Sequence, residues 1–176
     1  MTGREFLNSL AKGKADILQQ LLGILTETGS DYCLICGLAV NAYVEPVVSL
    51  DVDIVVAVDN IQTVVNAART EKMKVEEFPH SVNISGSQSD LRIQVQTDSR
   101  YKAFIASAAV KEILGYKMKV ASLDNVLQGK VWAYMDDTRR RSKRQKDLAD
   151  ISRIIEAFPE LTTKIPEKVM GRLQEK

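Results

Sequence analysis

The run Asp51-Val52-Asp53-Ile54-Val55-Val56-Ala57-Val58 constrains this chain more than any other stretch. Its β-branched side chains suit a pleated, buried strand and lose too much rotamer freedom in a helix. Side chains alternate between the two faces of a strand, so Asp51 and Asp53, two apart, project from the same face. Carboxylates held side by side repel unless a cation or a hydrogen-bond donor stands between them. The same spacing also suits a solvated strand start, or carboxylates that cap a helix.

The rest of the composition narrows the setting. A chain of 176 residues, 45% hydrophobic and 27% charged, fits one soluble globular domain with a buried core, with room for a small helical appendage. A formal net charge of +1 gives no global field toward nucleic acid or an acidic membrane, so any electrostatic partner must be read locally. No apolar run approaches the roughly 18–20 residues of a membrane span, and the first residues lack the apolar stretch of a signal peptide. The expected location is cytoplasmic. Cys33 and Cys36 have C-x-x-C spacing, which invites a redox or metal reading. Zinc would need two further ligands, and His80 is the only histidine. The segment also reads as a buried strand, which makes both thiols small core residues.

Along the chain, Thr2 to Glu5 spells a capping box, and Phe6, Leu10, Ile17, Leu18, Leu21, Leu22 and Leu25 continue one helix to about Gly29. A strand follows over Tyr32–Cys36, then a short helix in Leu38–Val44 that Pro46 ends. After the Asp51 strand, a helix capped within Asp59–Gln62 runs to about Glu71. Lys74–Phe78 and Val82–Ile84 are weaker strands, and Ser85-Gly86-Ser87 is a turn. Leu91–Gln96 alternates strictly, with Leu91, Ile93 and Val95 on one face and Arg92, Gln94 and Gln96 on the other. Phe104–Leu114 reads as a helix closed by Gly115, and Tyr116–Val120 as an edge strand. Ser122 caps a helix to about Asp136, and Ser142–Gln145 opens another to about Phe158. Pro166 begins a last short helix. The expected architecture is α+β: a small mixed sheet flanked by helices over residues 1–120, with a C-terminal helical segment over 121–176 packed on it.

The constellation with chemistry in it is Gly37-Leu38-Ala39-Val40-Asn41-Ala42-Tyr43, then Pro46, then Ser49-Leu50-Asp51-Val52-Asp53-Ile54. A hard cation with oxygen ligands, together with the phosphates of a nucleoside triphosphate, is the natural occupant of the Asp51–Asp53 face. Gly37 at a helix start offers backbone N–H groups to phosphate. This ordered set resembles the nucleotidyltransferase superfamily, which includes DNA polymerase β. Within it the likeness is to bacterial minimal nucleotidyltransferases related to abortive-infection and type IV toxin nucleotidyltransferases. Their signature is a Gly-Gly or Gly-Ser turn followed by a D-x-[DE] strand, and thirteen residues separate Gly37 from Asp51 here. The stretch Val120–Ile151 resembles the same group's helical segment, with a lysine and a later K-D pair.

The resemblance implies transfer of a nucleoside monophosphate from a nucleoside triphosphate to a hydroxyl acceptor, on RNA, protein or a small molecule. It implies Asp51 and Asp53 as ligands of Mg²⁺ (or Mn²⁺), and Gly37, Ser49 and Lys130 around the nucleotide. Lys146 and Asp147 match the K-D pair. The sequence departs from the pattern at three places: Cys36 stands where the first glycine is usual, Val47 where many relatives have arginine, and Gln94 where the third catalytic carboxylate belongs. Glutamine is neutral and cannot take a proton. Asp98 shares Gln94's parity but lies about 13 Å further along a strand, and Asp90 is as far the other way. The alternative is a nucleotidyltransferase-fold protein that binds nucleotide or RNA, or serves a toxin–antitoxin pair, without turnover. Bland readings stand beside these. Lys130 also suits a solvated helix face, and Lys146 with Asp147 and Asp150 a surface pairing. Arg139, Arg140, Arg141, Lys143, Arg144 and Lys146 suit either RNA or a triphosphate tail, or a solvated inter-helix loop. Trp132 and Tyr134 read as core, and His80 as a loop residue.

Overall fold

The computed structural model describes residues 2–12, 16–87 and 89–174. The capping box at Thr2 forms as the sequence predicts and opens α1 (Gly3–Leu10). The helix does not run on to Gly29. It stops at Ala11, where Lys12 takes a left-handed backbone (φ 52°), and α2 (Ile17–Glu27) starts afresh with Asp16 as its cap. Gly13 lies outside the described residues. β1 (Tyr32–Ile35) leads directly into α3 (Cys36–Val40), a helix of five residues.

β2 (Asp51–Val56) is the strand the sequence singled out. Val52, Ile54 and Val56 are buried on one face, and Asp51 and Asp53 are half-buried on the other. A slip of one residue would drive both carboxylates into the apolar side, so burial of the valines and isoleucine pins the register. A 3₁₀ turn (Val58–Asn60) then enters α4 (Ile61–Thr70), followed by β3 (Lys74–Phe78), β4 (Ser81–Ser85) and β5 (Arg92–Gln96). The alternation of Leu91–Gln96 appears as expected, with Leu91, Ile93 and Val95 buried.

Residues 102–120 differ most from the expectation of a helix over Phe104–Leu114 and an edge strand over Tyr116–Val120. α5 (Lys102–Ala106) is short, and β6 (Ala109–Ile113) is a strand that turns into β7 (Tyr116–Val120). The turn explains the change. Leu114 (φ 52°) and Gly115 (φ 81°) are both left-handed, the backbone of a type I′ hairpin, which twists as its strands do. β7 is therefore no edge strand: it lies between β6 and β1, pairing parallel to β1 and antiparallel to β6. The seven strands run in the order β3-β4-β5-β2-β1-β7-β6. β2 sits at the centre, antiparallel to β1 and parallel to β5.

Ser122 caps α6 (Leu123–Met135), as its sequence predicts. α7 (Arg141–Ala157) begins before the expected Ser142 box, with Arg140 at its cap and no side-chain cap bond. A 3₁₀ turn (Pro159–Lys164) and α8 (Glu167–Gln174) complete the described chain. Tyr134 is buried, and Trp132 packs with Phe104 and Tyr101. His80 lies in the exposed β3–β4 turn. α3 packs on β1 and β2 below and on α6 and α7 beside it, which brings the C-terminal helices to the end of β2 that carries Asp51. One continuous hydrophobic core runs from Leu7 to Val169, across both expected segments. No helix among the described residues is long and apolar enough to cross a membrane.

Gly115→Ala tests the hairpin. An L side chain at this left-handed position should cost about 1–2 kcal/mol of stability, read as a lower urea midpoint at unchanged m-value.

Candidate active site

β2 starts where Ser49 folds its hydroxyl back on the strand. Its Oγ accepts from the Asp51 N–H at 3.2 Å and lies 3.3 Å from the Asp51 carbonyl oxygen. Ser49 thus fixes the backbone of the first carboxylate, a role the spacing alone did not suggest. Asp53 is flanked in register by Ile35 of β1 and Gln94 of β5. The residue after Ile35 is Cys36, so the β1–α3 turn lies beside Asp53. Cys36 has φ 64°, the left-handed region that favours glycine. The backbone expected of a glycine turn is therefore present, with the strain carried by Cys36. Gly37 needs no such exemption: a Cβ there would make ordinary contacts, 3.8 Å from Asp150 Oδ2 and 3.9 Å from Lys130 Nζ. Both thiols are free, Cys33 fully buried, and burial pushes Cys33 up to about 12 and Cys36 higher still. Neither is a thiolate nucleophile.

Asp51, Asp53, Gln94, Gly37, Ser49 and Lys130 all line one cleft of about 490 Å³. The cleft also holds Arg92, which the sequence reading did not assign to it, and three cations of the basic run that suits a triphosphate tail. Arg92 comes from β5, Lys143 and Lys146 from the start of α7, and Arg139 from the turn just before it. Residues 143, 146 and 150 follow helical spacing on one face. The basic run is thus divided rather than being one RNA-facing strip. Arg140 and Arg141 are exposed and outside the cleft, and Arg144 turns to the Tyr134 carbonyl and Asp137.

Lys143 Nζ is 2.5 Å from Asp51 Oδ2. Burial alone would raise the Asp51 carboxyl, but the Lys143 ammonium, with Arg92 and Lys146 behind it, holds it below the usual carboxylate range. Asp53 goes the other way. Burial and the neighbouring Asp51 charge raise it, against the pull of Lys130, Arg139 and a hydrogen bond from Gln96. Arg92 and Lys146 make no ion pair within 4 Å among the described residues.

Lys130 is neither on a solvated face nor offered to the cleft as a lone charge. Only 4% of it is exposed, and its ammonium pairs with Asp147 at 2.9 Å and Asp150 at 2.6 Å. Burial alone would depress Lys130, but the Asp150 and Asp147 carboxylates beside it hold it above its ordinary range. Asp147 also takes Arg139 Nε at 2.9 Å, and Asp150 takes Arg153 at 2.7 Å. The Lys146–Asp150 region is therefore no surface pairing, since Asp147 is 2% exposed.

Gln94 stands opposite Asp53 and donates from Nε2 to Ser81 Oγ at 3.1 Å. Asp98 is engaged by Arg100 and Asp90 by Lys12, so neither replaces it as a base. Across the sheet, one polar row runs Asp53, Gln94, Asn83, Glu76. Glu76 lies three strand spacings from Asp53, roughly 14 Å. Among the described residues no group of three or more His, Cys, Asp or Glu side chains is placed to cage a metal. Two adjacent carboxylates do fit Mg²⁺, which is commonly held by one or two carboxylates and completed by substrate phosphates.

No family model and no curated protein matches the chain. Solved structures do. ANT(2'')-Ia in complex with adenylyl-2''-tobramycin superposes with a TM-score of 0.63 at 12% identity, over 90% of this chain and 95% of that one. The lincosamide antibiotic adenylyltransferase LnuA, lincomycin-bound, gives 0.55 at 12% identity, over 78% and 95%. An antigenic nucleotidyltransferase-like protein from Paracoccidioides brasiliensis gives 0.53 at 18% identity, over 97% and 93%. The chain has the nucleotidyltransferase fold. At these identities the likeness carries the fold alone. The nucleotidyltransferase fold here takes in the C-terminal helices, since the last of these matches covers 97% of the chain.

Two substitutions test this site. Lys130→Met leaves two buried carboxylates without their shared cation and should cost about 3–5 kcal/mol, measured by denaturant unfolding. Asp53→Asn should raise Tm by a few degrees at neutral pH. The raised carboxyl of Asp53 burdens the folded state only where it must ionise, so the gain should shrink as pH falls toward about 4.

Proposed function

We propose that this chain transfers a nucleoside monophosphate from a nucleoside triphosphate to a hydroxyl acceptor, with Mg²⁺ (or Mn²⁺) held by Asp51 and Asp53. The observation that carries the reading is the pairing of these two carboxylates with Lys143, Lys146 and Arg92 in one cleft. Five charges of this kind serve a bound polyphosphate better than they serve the empty fold. The N-terminus of α7 supports the same reading. It has no side-chain cap and no acidic residue in its first turn, and it gathers lysines and arginines against the helix dipole. Such a placement costs stability unless an anion comes to it.

In the reaction, the acceptor oxygen bonds to the α-phosphorus as the bond to the pyrophosphate oxygen breaks. When bound, the metal polarises the α-phosphate and offsets its charge. Lys146 and Arg92 hold the phosphate tail, and Ser49 keeps Asp51 in place. Gly37 lies at the rim, and Lys130 acts beneath it as a positioning residue through Asp147 and Asp150. Nucleotidyl transfer needs such positioning and charge neutralisation more than covalent help from the protein. A cleft of about 490 Å³ is of a size that suits a nucleotide with a small-molecule acceptor better than a folded RNA. LnuA acts on an antibiotic and ANT(2'')-Ia holds an adenylylated one, which agrees with that choice.

Gln94 favours a second reading: a protein of this fold that binds nucleotide and metal without turnover, as a sensor or a toxin–antitoxin component. Incubation with α-labelled nucleoside triphosphates, Mg²⁺ and a panel of hydroxylated small molecules separates the two. An enzyme should label an acceptor, lose at least about a hundredfold in Asp51→Ala, and gain about tenfold or more in Gln94→Glu by recovering a base. Nucleotide binding with no labelled product under any of these conditions would decide for the second reading.

A further inference from the structure

Lys143 lies closer to the metal-holding carboxylates than any other described cation, and it does so in a way that suits departure. It sits in the first turn of α7, where the helix dipole disfavours a positive charge, and Asp51 is the one carboxylate it pairs with. Its side chain is 33% exposed and Asp51's is 39%, so both ends of the pair remain in reach of solvent and of a ligand. The lysine stem has four rotatable carbons and a compact ammonium that can swing between acceptors. Lys146, one turn further along the same helix, and Arg92, from β5, line the same cleft with no ion pair within 4 Å among the described residues. Lys130 cannot substitute, being buried between its two aspartates. One partly exposed cation therefore occupies the carboxylate that a divalent ion needs, next to a positively charged wall that attracts phosphate.

We propose that Lys143 is the resident counter-ion of Asp51, occupying the metal's place until a nucleotide's phosphates draw its ammonium away, so that divalent metal enters properly only with nucleotide. The inference rests on the reading of Asp51 and Asp53 as the metal-holding pair. Its consequence is a site that resists idle metal loading. Metal brought in with the triphosphate finds Asp51 released, because the same lysine is now bonded to phosphate oxygen. A charge-assisted bond to phosphate replaces a charge-assisted bond to carboxylate, so the exchange requires no uncompensated charge at either end.

The test is Mn²⁺ binding to the full chain without nucleotide, read as the loss of the free-ion electron paramagnetic resonance signal. Lys143→Met should tighten Mn²⁺ about threefold to tenfold over the parent chain, the range in which a partly exposed ion pair competes. Lys146→Met removes an equal charge from the same cleft without touching Asp51, and should change Mn²⁺ affinity by less than about twofold. Lys143→Met should also weaken binding of a nucleoside triphosphate. Equal Mn²⁺ affinity in the parent and Lys143→Met would overturn the counter-ion role, as would an equal gain in Lys146→Met. The reading it rests on is checked separately with Asp51→Asn. If that variant binds Mn²⁺ like the parent both with and without nucleotide, the metal site itself is wrong and the proposal goes with it.

Discussion

The ammonium of Lys130, buried between Asp147 and Asp150, is the contact on which the rest of the site depends. It ties α6 to α7 and lies directly under Gly37. Arg139 and Arg153 extend the cluster outward from the same two aspartates. Arg153 continues to the Glu45 carbonyl and to Asn41, and Asn41 holds both the N–H and the carbonyl of Val47. A single chain of charge and hydrogen bonds therefore runs from the C-terminal helices to the loop that delivers Asp51. Ion pairs in such places add little stability over well-packed apolar side chains, because desolvation offsets most of the attraction. What they supply is position. An apolar replacement could slide by a few tenths of an ångström, whereas three cations sharing two carboxylates fix the start of α7, and with it Lys143 and Lys146, relative to β2.

β2 answers from the other side of the cleft. Its period-two alternation, pinned by burial of Val52, Ile54 and Val56, leaves Asp51 and Asp53 no choice of face. The two carboxyls are nevertheless unlike. Asp51 sits toward solvent with a lysine on it, and Asp53 sits deeper, beside Cys36 and Gln94, where its charge is disfavoured. A pair of acids split in this way can hold a cation asymmetrically, one ready and one demanding compensation.

How much of this could be read from the residues follows from the range of the forces involved. The central strand, the Thr2 and Ser122 caps and the Leu91–Gln96 alternation are set by neighbours a few positions away, and they were legible. The fold was legible too, because the Gly37–Asp51 spacing and the D-x-D strand came in order. Ala109–Ile113 misled because its alanine, lysine and glutamate favour helices. What decided its state was the pair of left-handed residues at 114 and 115, together with the side of β7 left open for pairing. The break at Lys12 was likewise a backbone matter hidden under a good apolar pattern. The burial of Lys130 could not be read, since its two partners lie one helix further on. The cleft-facing stripe of α7 was legible in part, because the basic run suits a triphosphate tail and Lys143 and Lys146 share one helix face.

The three departures from the family pattern have different physical weights. Cys36 keeps the left-handed turn that a glycine would make and stores a modest strain there, of the kind found beside functional centres. Val47 lacks a charge, but its backbone is clasped by Asn41, and Arg92 and Lys146 bring positive charge into the cleft from elsewhere. Gln94 is different in kind. It stands in register with Asp53 and bonds to Ser81, and its amide is neutral where the pattern has a third carboxylate. The side of the cleft near Val47 thus keeps positive charge, supplied by Arg92 and Lys146. In the proposed reaction the side of Gln94 has no such compensation, and a proton leaving an acceptor hydroxyl would go to solvent or to the phosphate itself. Reaction at such a site would favour acceptors whose hydroxyl is already acidic, and that preference follows from one neutral amide.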